Sequence, residues 1–103
     1  MQKSNVIDLQ TPPRGLSSEA GGLWRSILSD YAIDDSAGLA ILLQLCETLD
    51  RVRQCQQQIE RDGLTVPGYN DQTRPHPLLK TETEYRRQLL SCYRALKLEP
   101  EAS

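Results

Sequence analysis

The chain has no phenylalanine, and its 103 residues include only one tryptophan, one methionine and one histidine. Large aromatic side chains therefore cannot fill its interior, and burial must come mainly from leucine, isoleucine, valine and alanine. A chain of this length has room for one domain with one modest core, and much of its apolar surface is hard to bury alone. These limits favour a leucine-rich helical domain that associates with partners or with itself.

No run approaches the roughly 18 apolar residues that a membrane-spanning helix needs. The first six residues, Met1 to Val6, also lack the apolar stretch of a signal peptide. We therefore expect a soluble intracellular protein without membrane contact.

Motifs that carry chemistry are missing as well. Cys46, Cys55 and Cys92 are widely spaced, and no Cys-x-x-Cys pair occurs, so free, partly buried thiols are expected rather than metal ligands. The chain lacks a glycine-rich phosphate loop of the G-x-x-x-x-G-K type and an H-E-x-x-H motif. The sequence therefore predicts no catalytic residue, no metal site and no cofactor.

The formal net charge of -2 hides an asymmetry between the two halves of the chain. Residues 1–50 hold three basic and seven acidic residues, whereas residues 51–97 hold nine basic and five acidic ones. The total charge argues against a protein that coats nucleic acid by bulk electrostatics. If the chain binds a polyanion, its second half is the better candidate.

The chain divides into an arm, one domain and a tail. Residues 1–15 are polar and contain two prolines and a glycine near their end, so a flexible N-terminal arm is predicted. Residues 16–98 are predicted to form a single helical domain, and residues 99–103 a short C-terminal tail. The first helix should span residues 17–31, with Ser17 as its N-cap.

A long central helix is predicted from residue 34 to residue 62, with Asp34 as its N-cap and Gly63 ending it in a Schellman motif. Such a helix is about 43 Å long, whereas a compact domain of this size has a radius of gyration of about 13 Å. We therefore expect its apolar first third to be buried by the first helix and by a neighbouring subunit. The candidate core and oligomerisation residues of the domain are Trp24, Leu42, Leu45, Leu49, Val52, Tyr85 and Leu89.

The residues after the long helix predict a small β-hairpin with a mobile tip. Leu64 to Val66 are strand formers, the turn residues Pro, Gly, Asn and Asp follow, and Gln72 to Pro75 return. Pro77 then opens a last helix at its first position, which should end at Glu99 and pack antiparallel to the long helix. The fold class is therefore all-α, with a small hairpin between the second and third helices.

Several local strings, in this order and spacing, resemble the short-chain branch of the phage terminase small subunit family. The resemblance runs from about Arg14 to Pro100. It is carried by Leu16-Ser17-Ser18-Glu19-Ala20 with Leu23-Trp24, by Ile59-Glu60-Arg61-Asp62-Gly63-Leu64-Thr65-Val66, by Pro75-His76-Pro77-Leu78-Leu79-Lys80, and by Leu96-Lys97-Leu98-Glu99-Pro100.

The resemblance implies a subunit that is not itself an enzyme. Family members assemble into a homo-oligomeric ring, bind the packaging region of viral double-stranded DNA, and recruit and regulate the large terminase subunit, which carries the ATPase and the nuclease. It also implies a phage or prophage protein in the cytoplasm of the bacterial host.

Basic residues of the second half are the candidate DNA contacts. Lys80, Arg87 and Arg94 recur every seven residues on the last helix, so in a ring they would form a positive band along a phosphate backbone. A plain solvated face explains the same spacing. The full set of candidates is Arg74, His76, Lys80, Arg86, Arg87 and Arg94.

Three other interpretations stay open. A helix-turn-helix at residues 31–33 would place DNA among acidic neighbours, which repel phosphate. A small DNA-binding regulator would use the glutamine-rich stretch of residues 54–58. An oligomeric helical adaptor without a nucleic-acid role is permitted by the net charge.

Overall fold

The computed structural model describes residues 11–98. In chain order it contains α1 (Ser18–Asp30), α2 (Ser36–Asp62), β1 (Thr65–Pro67), β2 (Thr73–Pro75) and α3 (Leu78–Ala95). The two strands form one antiparallel pair, joined by a single 3₁₀ turn at Tyr69–Asp71. The predicted mainly helical fold with a small hairpin is confirmed. The predicted tail and the first ten residues of the predicted arm lie outside the described residues.

α1 begins as predicted, because Ser17 has extended dihedral angles and its hydroxyl accepts a hydrogen bond from the amide of Ala20. The same residue also reaches the long helix, since its backbone amide donates to the Asp50 carboxylate at 2.9 Å. One turn of α2 after Asp50, the guanidinium of Arg53 forms a bidentate ion pair with the carboxylate of Glu19. These contacts hold the N-terminal end of α1 against the middle of α2.

The N-cap of α2 lies one residue later than predicted. Asp35 is the N-cap, and its carboxylate accepts from the amide of Gly38 at 2.9 Å, so the prediction of Asp34 was wrong. Both residues have capping chemistry, but the chain stays extended until Asp35. A Cβ on Gly38 would lie 2.8 Å from an Asp35 carboxylate oxygen, which explains a glycine at this position.

The predicted Schellman motif at the end of α2 was also wrong. Gly63 has the expected positive φ of 89°, but its ψ of 167° sends the chain outward into β1. Its amide donates to the carbonyl oxygen of Ile59, and Leu64 is 67% exposed instead of packing on the helix. Glycine is required here for its positive φ alone.

A Schellman motif closes α3 instead, with a lysine in the position usually taken by glycine. Lys97 has a φ of 58°, its amide donates to the carbonyl oxygen of Arg94, and the amide of Leu98 donates to that of Tyr93. The motif turns Leu98 back into the core, where it is buried. α3 therefore ends at Ala95, earlier than predicted.

α2 and α3 form an antiparallel pair, as predicted. Asp62 at the end of α2 contacts His76 just before α3, and Gln56, further back along α2, contacts Glu82, further forward along α3. Cys46 near the start of α2 lies in the same core cluster as Cys92 near the end of α3. The hairpin lies where the two helices meet.

The core is formed by all three helices of one chain. Leu42 and Leu45 are completely buried without a second subunit. The first third of α2 therefore does not depend wholly on a neighbour, although Leu39, Ile41 and Leu43 stay half-buried. The other five predicted core residues differ in burial. Trp24, Leu49 and Val52 are buried, whereas Tyr85 and Leu89 are half-buried.

Candidate nucleic-acid interface

Three cations lie along one face of α3. Lys80, Arg87 and Arg94 are separated by two helical turns each, so their side chains project from the same side of the helix. All three are exposed, and no carboxylate of residues 11–98 lies within 4.0 Å of their nitrogen atoms. We call Lys80, Arg87 and Arg94 the α3 basic face. Its charges are free to bind an anion.

Arg86 lies on a different side of α3 and already has a partner. Its Nε atom donates to Glu82 at 2.8 Å, and Gln56 of α2 donates to the same carboxylate oxygen at 3.2 Å. The hydrogen bond from Arg86 lowers the pKa of Glu82. Arg86 therefore pairs with the carboxylate that Gln56 also contacts, and the structure does not bring it together with the α3 basic face.

His76 is 5% exposed and joins three elements of the fold. Its Nδ1 atom accepts from the amide of Leu78, which leaves the proton on Nε2, and Nε2 donates to Asp62 at 2.9 Å. Its backbone amide donates to the carbonyl oxygen of Leu64. Hydrogen bonds from Gln58 and from His76 lower the pKa of Asp62.

This arrangement makes His76 the effective N-cap of α3. Pro77 already has helical dihedral angles, so it is the first helical residue in practice, as predicted. The ring of His76 points into the protein, away from the solvent that a phosphate would occupy. Among the predicted DNA contacts, His76 and Arg86 are the two whose polar groups are used inside the subunit.

Replacing His76 by alanine is expected to lower the free energy of unfolding by about 1–3 kcal/mol, because it removes the acceptor for the amide of Leu78 and the donor to Asp62. Urea denaturation followed by circular dichroism measures this. Asp62→Asn, which keeps an acceptor for Nε2, should cost less than Asp62→Ala. Equal losses for the two Asp62 variants would show that the hydrogen bond does not fix the hairpin.

Arg74 lies on the hairpin, six residues before Lys80. It pairs across the strands with Val66, its side chain is exposed, and within residues 11–98 it has no ion pair and no side-chain hydrogen bond. Arg74 therefore adds one exposed positive charge near the N-terminal end of α3.

One exposed residue of this region was missed at the sequence level. Tyr69 in the hairpin turn is 86% exposed, the largest exposure among the big hydrophobic side chains of the described residues. Asn70 and Asp71 beside it have left-handed backbone angles, with φ of 57° and 62°. The sequence predicts a turn here. The signal for an exposed aromatic residue was Tyr69 itself, which stands between the turn residues Gly68 and Asn70.

The junction between α1 and α2 has the opposite charge. Asp30, Asp34 and Asp35 are exposed there, and Asp35 is used as a cap. Arg25 of α1 is exposed as well, but it is outnumbered. This geometry disfavours the junction as a phosphate-binding surface.

The described residues carry no arrangement suited to metal chemistry or to a reactive thiol. No group of three or more His, Cys, Asp or Glu side chains within residues 11–98 is placed to hold a metal ion. The three cysteines are buried and free, and burial raises the pKa of the Cys46 thiol to about 12. Among the residues that the structure describes, no helix is long and apolar enough to cross a membrane.

The described residues thus form a small helical scaffold with three exposed cations on one side of its last helix. A family model described as phage terminase, small subunit, matches residues 23–103, and the chain belongs to that family. The resemblance seen in the sequence is thereby confirmed. No curated protein and no solved structure matches the chain.

Membership gives the chain a general role in packaging phage DNA. Small subunits of terminases are generally regulatory and not catalytic, which agrees with the expectation drawn from the motifs that the sequence lacks. Within residues 11–98, exposed cations without carboxylate partners lie together on α3, whereas exposed carboxylates lie together at the junction between α1 and α2.

Proposed function

We propose that this chain binds viral double-stranded DNA at the packaging region and recruits and regulates the large terminase subunit. The observation that carries the proposal is the α3 basic face, three exposed cations without carboxylate partners among residues 11–98, in a chain of the terminase small subunit family. Arg74 adds an exposed cation on the hairpin, just before α3 in the chain.

The spacing of the α3 basic face suits a phosphate backbone. Seven residues of α-helix rise about 10.5 Å, and phosphates along one strand of B-DNA recur about every 3.4 Å along the axis. Lys80 and Arg94 therefore lie about 21 Å apart along the axis of α3, a length over which a DNA strand presents several phosphates, so each cation can contact a different one. Such contacts position the protein without reading the sequence of bases.

Self-association into a ring is part of the proposal. Apolar surface remains on the single chain, because Leu90 of α3 is 52% exposed and Leu39, Ile41 and Leu43 of α2 are only half-buried. These residues, and not the fully buried Leu42 and Leu45, are the better candidates for contacts between subunits. Repetition around a ring multiplies three cations per subunit into a band, and such multivalent binding raises the overall affinity for one DNA molecule.

The proposed subunit has no catalytic activity of its own and works in the host cytoplasm, where the ATPase and nuclease belong to the large subunit. The support is the family membership together with the absence of a phosphate loop from the sequence. The two competing functions are a dimeric DNA-binding regulator and an adaptor that does not bind nucleic acid.

Fluorescence anisotropy with a duplex of mixed sequence, measured between about 50 and 200 mM salt, tests DNA binding. We expect affinity to fall steeply with salt, with a slope of about 0.9 for each neutralised phosphate. Light scattering on the same sample gives the mass, which separates a ring from a regulator dimer. A chain that stays monomeric and does not bind the duplex at the lowest salt would exclude the proposed function and favour the adaptor.

A further inference from the structure

The hairpin ends in a tip, residues 69–72, whose side chains are exposed to solvent. Tyr69, Asn70, Asp71 and Gln72 are all exposed, and Tyr69 is more exposed than any other large hydrophobic residue among those described. Burying an aromatic side chain is strongly favourable. At the end of the hairpin, Tyr69 is therefore available to contact a partner.

The backbone of the tip is built by turn chemistry. The amide of Gly68 donates to the carbonyl oxygen of Gln72 at 2.6 Å, and a Cβ on Gly68 would lie 2.7 Å from that oxygen. Asn70 and Asp71 are residue types that tolerate the left-handed angles they adopt. Turn chemistry thus explains Gly68, Asn70 and Asp71, but it explains neither Tyr69 nor Arg74.

The base of the hairpin is held firmly. Thr65 pairs with Pro75 in the strand register, and the amide of His76 donates to the carbonyl oxygen of Leu64 at 2.8 Å. The buried ring of His76 bonds to Asp62 at the end of α2. The tip therefore projects from a base that is anchored to both long helices.

The free side chains near the tip are of the types that read bases. Asparagine and glutamine pair with adenine, and arginine pairs with guanine, through two hydrogen bonds each in the major groove. Gln72 and Arg74 are exposed, and residues 11–98 give them no side-chain hydrogen-bond partner. Asp71 is an acceptor that suits the amino group of cytosine.

The dimensions of the hairpin fit a groove of duplex DNA. The major groove is about 12 Å wide and about 8.5 Å deep, and it admits a two-stranded ribbon. Paired strands lie about 4.8 Å apart, and three residues of strand rise about 10 Å, which matches the three pairs of this ribbon. The tip can therefore reach the floor of the groove.

We infer that the hairpin tip enters the major groove of double-stranded DNA and reads bases through Tyr69, Gln72 and Arg74. The inference rests on the proposed function and assigns the reading of sequence to one element. Arg74 lies six residues before Lys80, so the tip is continuous along the chain with the α3 basic face. The α3 basic face then binds phosphates regardless of sequence, and the hairpin supplies the discrimination.

Selection from a library of random duplexes tests the inference with the full chain. The wild type should enrich a sequence motif, and Tyr69→Ala/Arg74→Ala should lose it, with discrimination between the enriched duplex and a scrambled duplex falling about 5- to 150-fold. The variant should still bind the scrambled duplex with nearly the salt slope of the wild type, because the α3 basic face keeps its three cations. Both side chains are exposed, so the variant should fold normally, as circular dichroism checks.

Arg25→Ala is the matched control, because it removes one exposed cation from the acidic half. It should leave both the motif and the discrimination unchanged. A wild type that binds DNA but enriches no motif, or a hairpin variant that enriches the wild-type motif, would overturn the inference and leave the proposed function intact. A wild type that binds no duplex would overturn the proposed function itself.

Discussion

Replacing Leu45 by alanine is expected to lower the free energy of unfolding by about 2–5 kcal/mol, the cost of removing a fully buried leucine and leaving a cavity. Leu45 is 0% exposed and belongs to the cluster that joins all three helices. A domain of this size has a total stability of about 5–15 kcal/mol, so one substitution removes a large part of it. Urea denaturation followed by circular dichroism, at two protein concentrations, measures the loss and separates folding from assembly.

Leu64→Ala is the matched control, because it removes the same atoms from a side chain that is 67% exposed. Surface substitutions of this kind usually change stability by no more than about 0.5 kcal/mol. If Leu45→Ala were no more costly than Leu64→Ala, the packing of α2 against α1 and α3 would be wrong.

Removing the α3 basic face is expected to make DNA binding much less sensitive to salt. The triple variant Lys80→Ala/Arg87→Ala/Arg94→Ala should lower the slope of log affinity against log salt by about 2.7, that is, about 0.9 for each phosphate that the variant no longer neutralises. The three side chains are exposed and unpaired with described carboxylates, so folding and the mass of the oligomer should stay the same. Anisotropy across a salt series and light scattering measure the two quantities.

Arg14→Ala/Arg25→Ala provides the contrast, because both residues lie in the acidic half and both are exposed. These substitutions should leave the slope nearly unchanged. If they abolished binding while the triple variant bound normally, the DNA surface would be the junction between α1 and α2, and the assignment to α3 would be wrong.

Features set by neighbours in the sequence could be predicted from it. The cap of α1 at Ser17, the spacing of the buried residues on α2 and the proline that opens α3 depend on residues within one or two helical turns. The hairpin was predictable for the same reason. The N-cap of α2 was misplaced because two aspartates stand side by side and only the path of the backbone decides between them.

Features that depend on distant residues could not be predicted. Nothing near His76 in the sequence shows that Asp62, fourteen residues earlier, accepts a hydrogen bond from its ring. The burial of His76, and the hydrogen bond from Gln56 to Glu82, follow from the packing of α2 against α3. The left-handed Lys97 was equally hidden, because the sequence has no glycine there to mark the end of the helix.

The spacing of the candidate DNA-binding residues could be seen in the sequence, but whether their charges were already paired with carboxylates could not. A seven-residue repeat of Lys80, Arg87 and Arg94 predicts a common face, whereas only the structure shows that these side chains lack carboxylate partners among residues 11–98. Conversely, His76 and Arg86 looked equally suitable in the sequence and have internal partners in the fold. Charge composition alone cannot separate these cases.

Because the three cysteines are buried, their reaction with alkylating reagents reports the opening of the core. Burial raises the pKa of the Cys46 thiol to about 12, so the thiol is protonated at neutral pH, whereas alkylating reagents attack the ionised form. Cys55 and Cys92 are likewise buried with raised pKa values. A single cysteine introduced on the surface can therefore be labelled without removing the native ones, and slow alkylation of the native thiols times the separation of α2 from its neighbours.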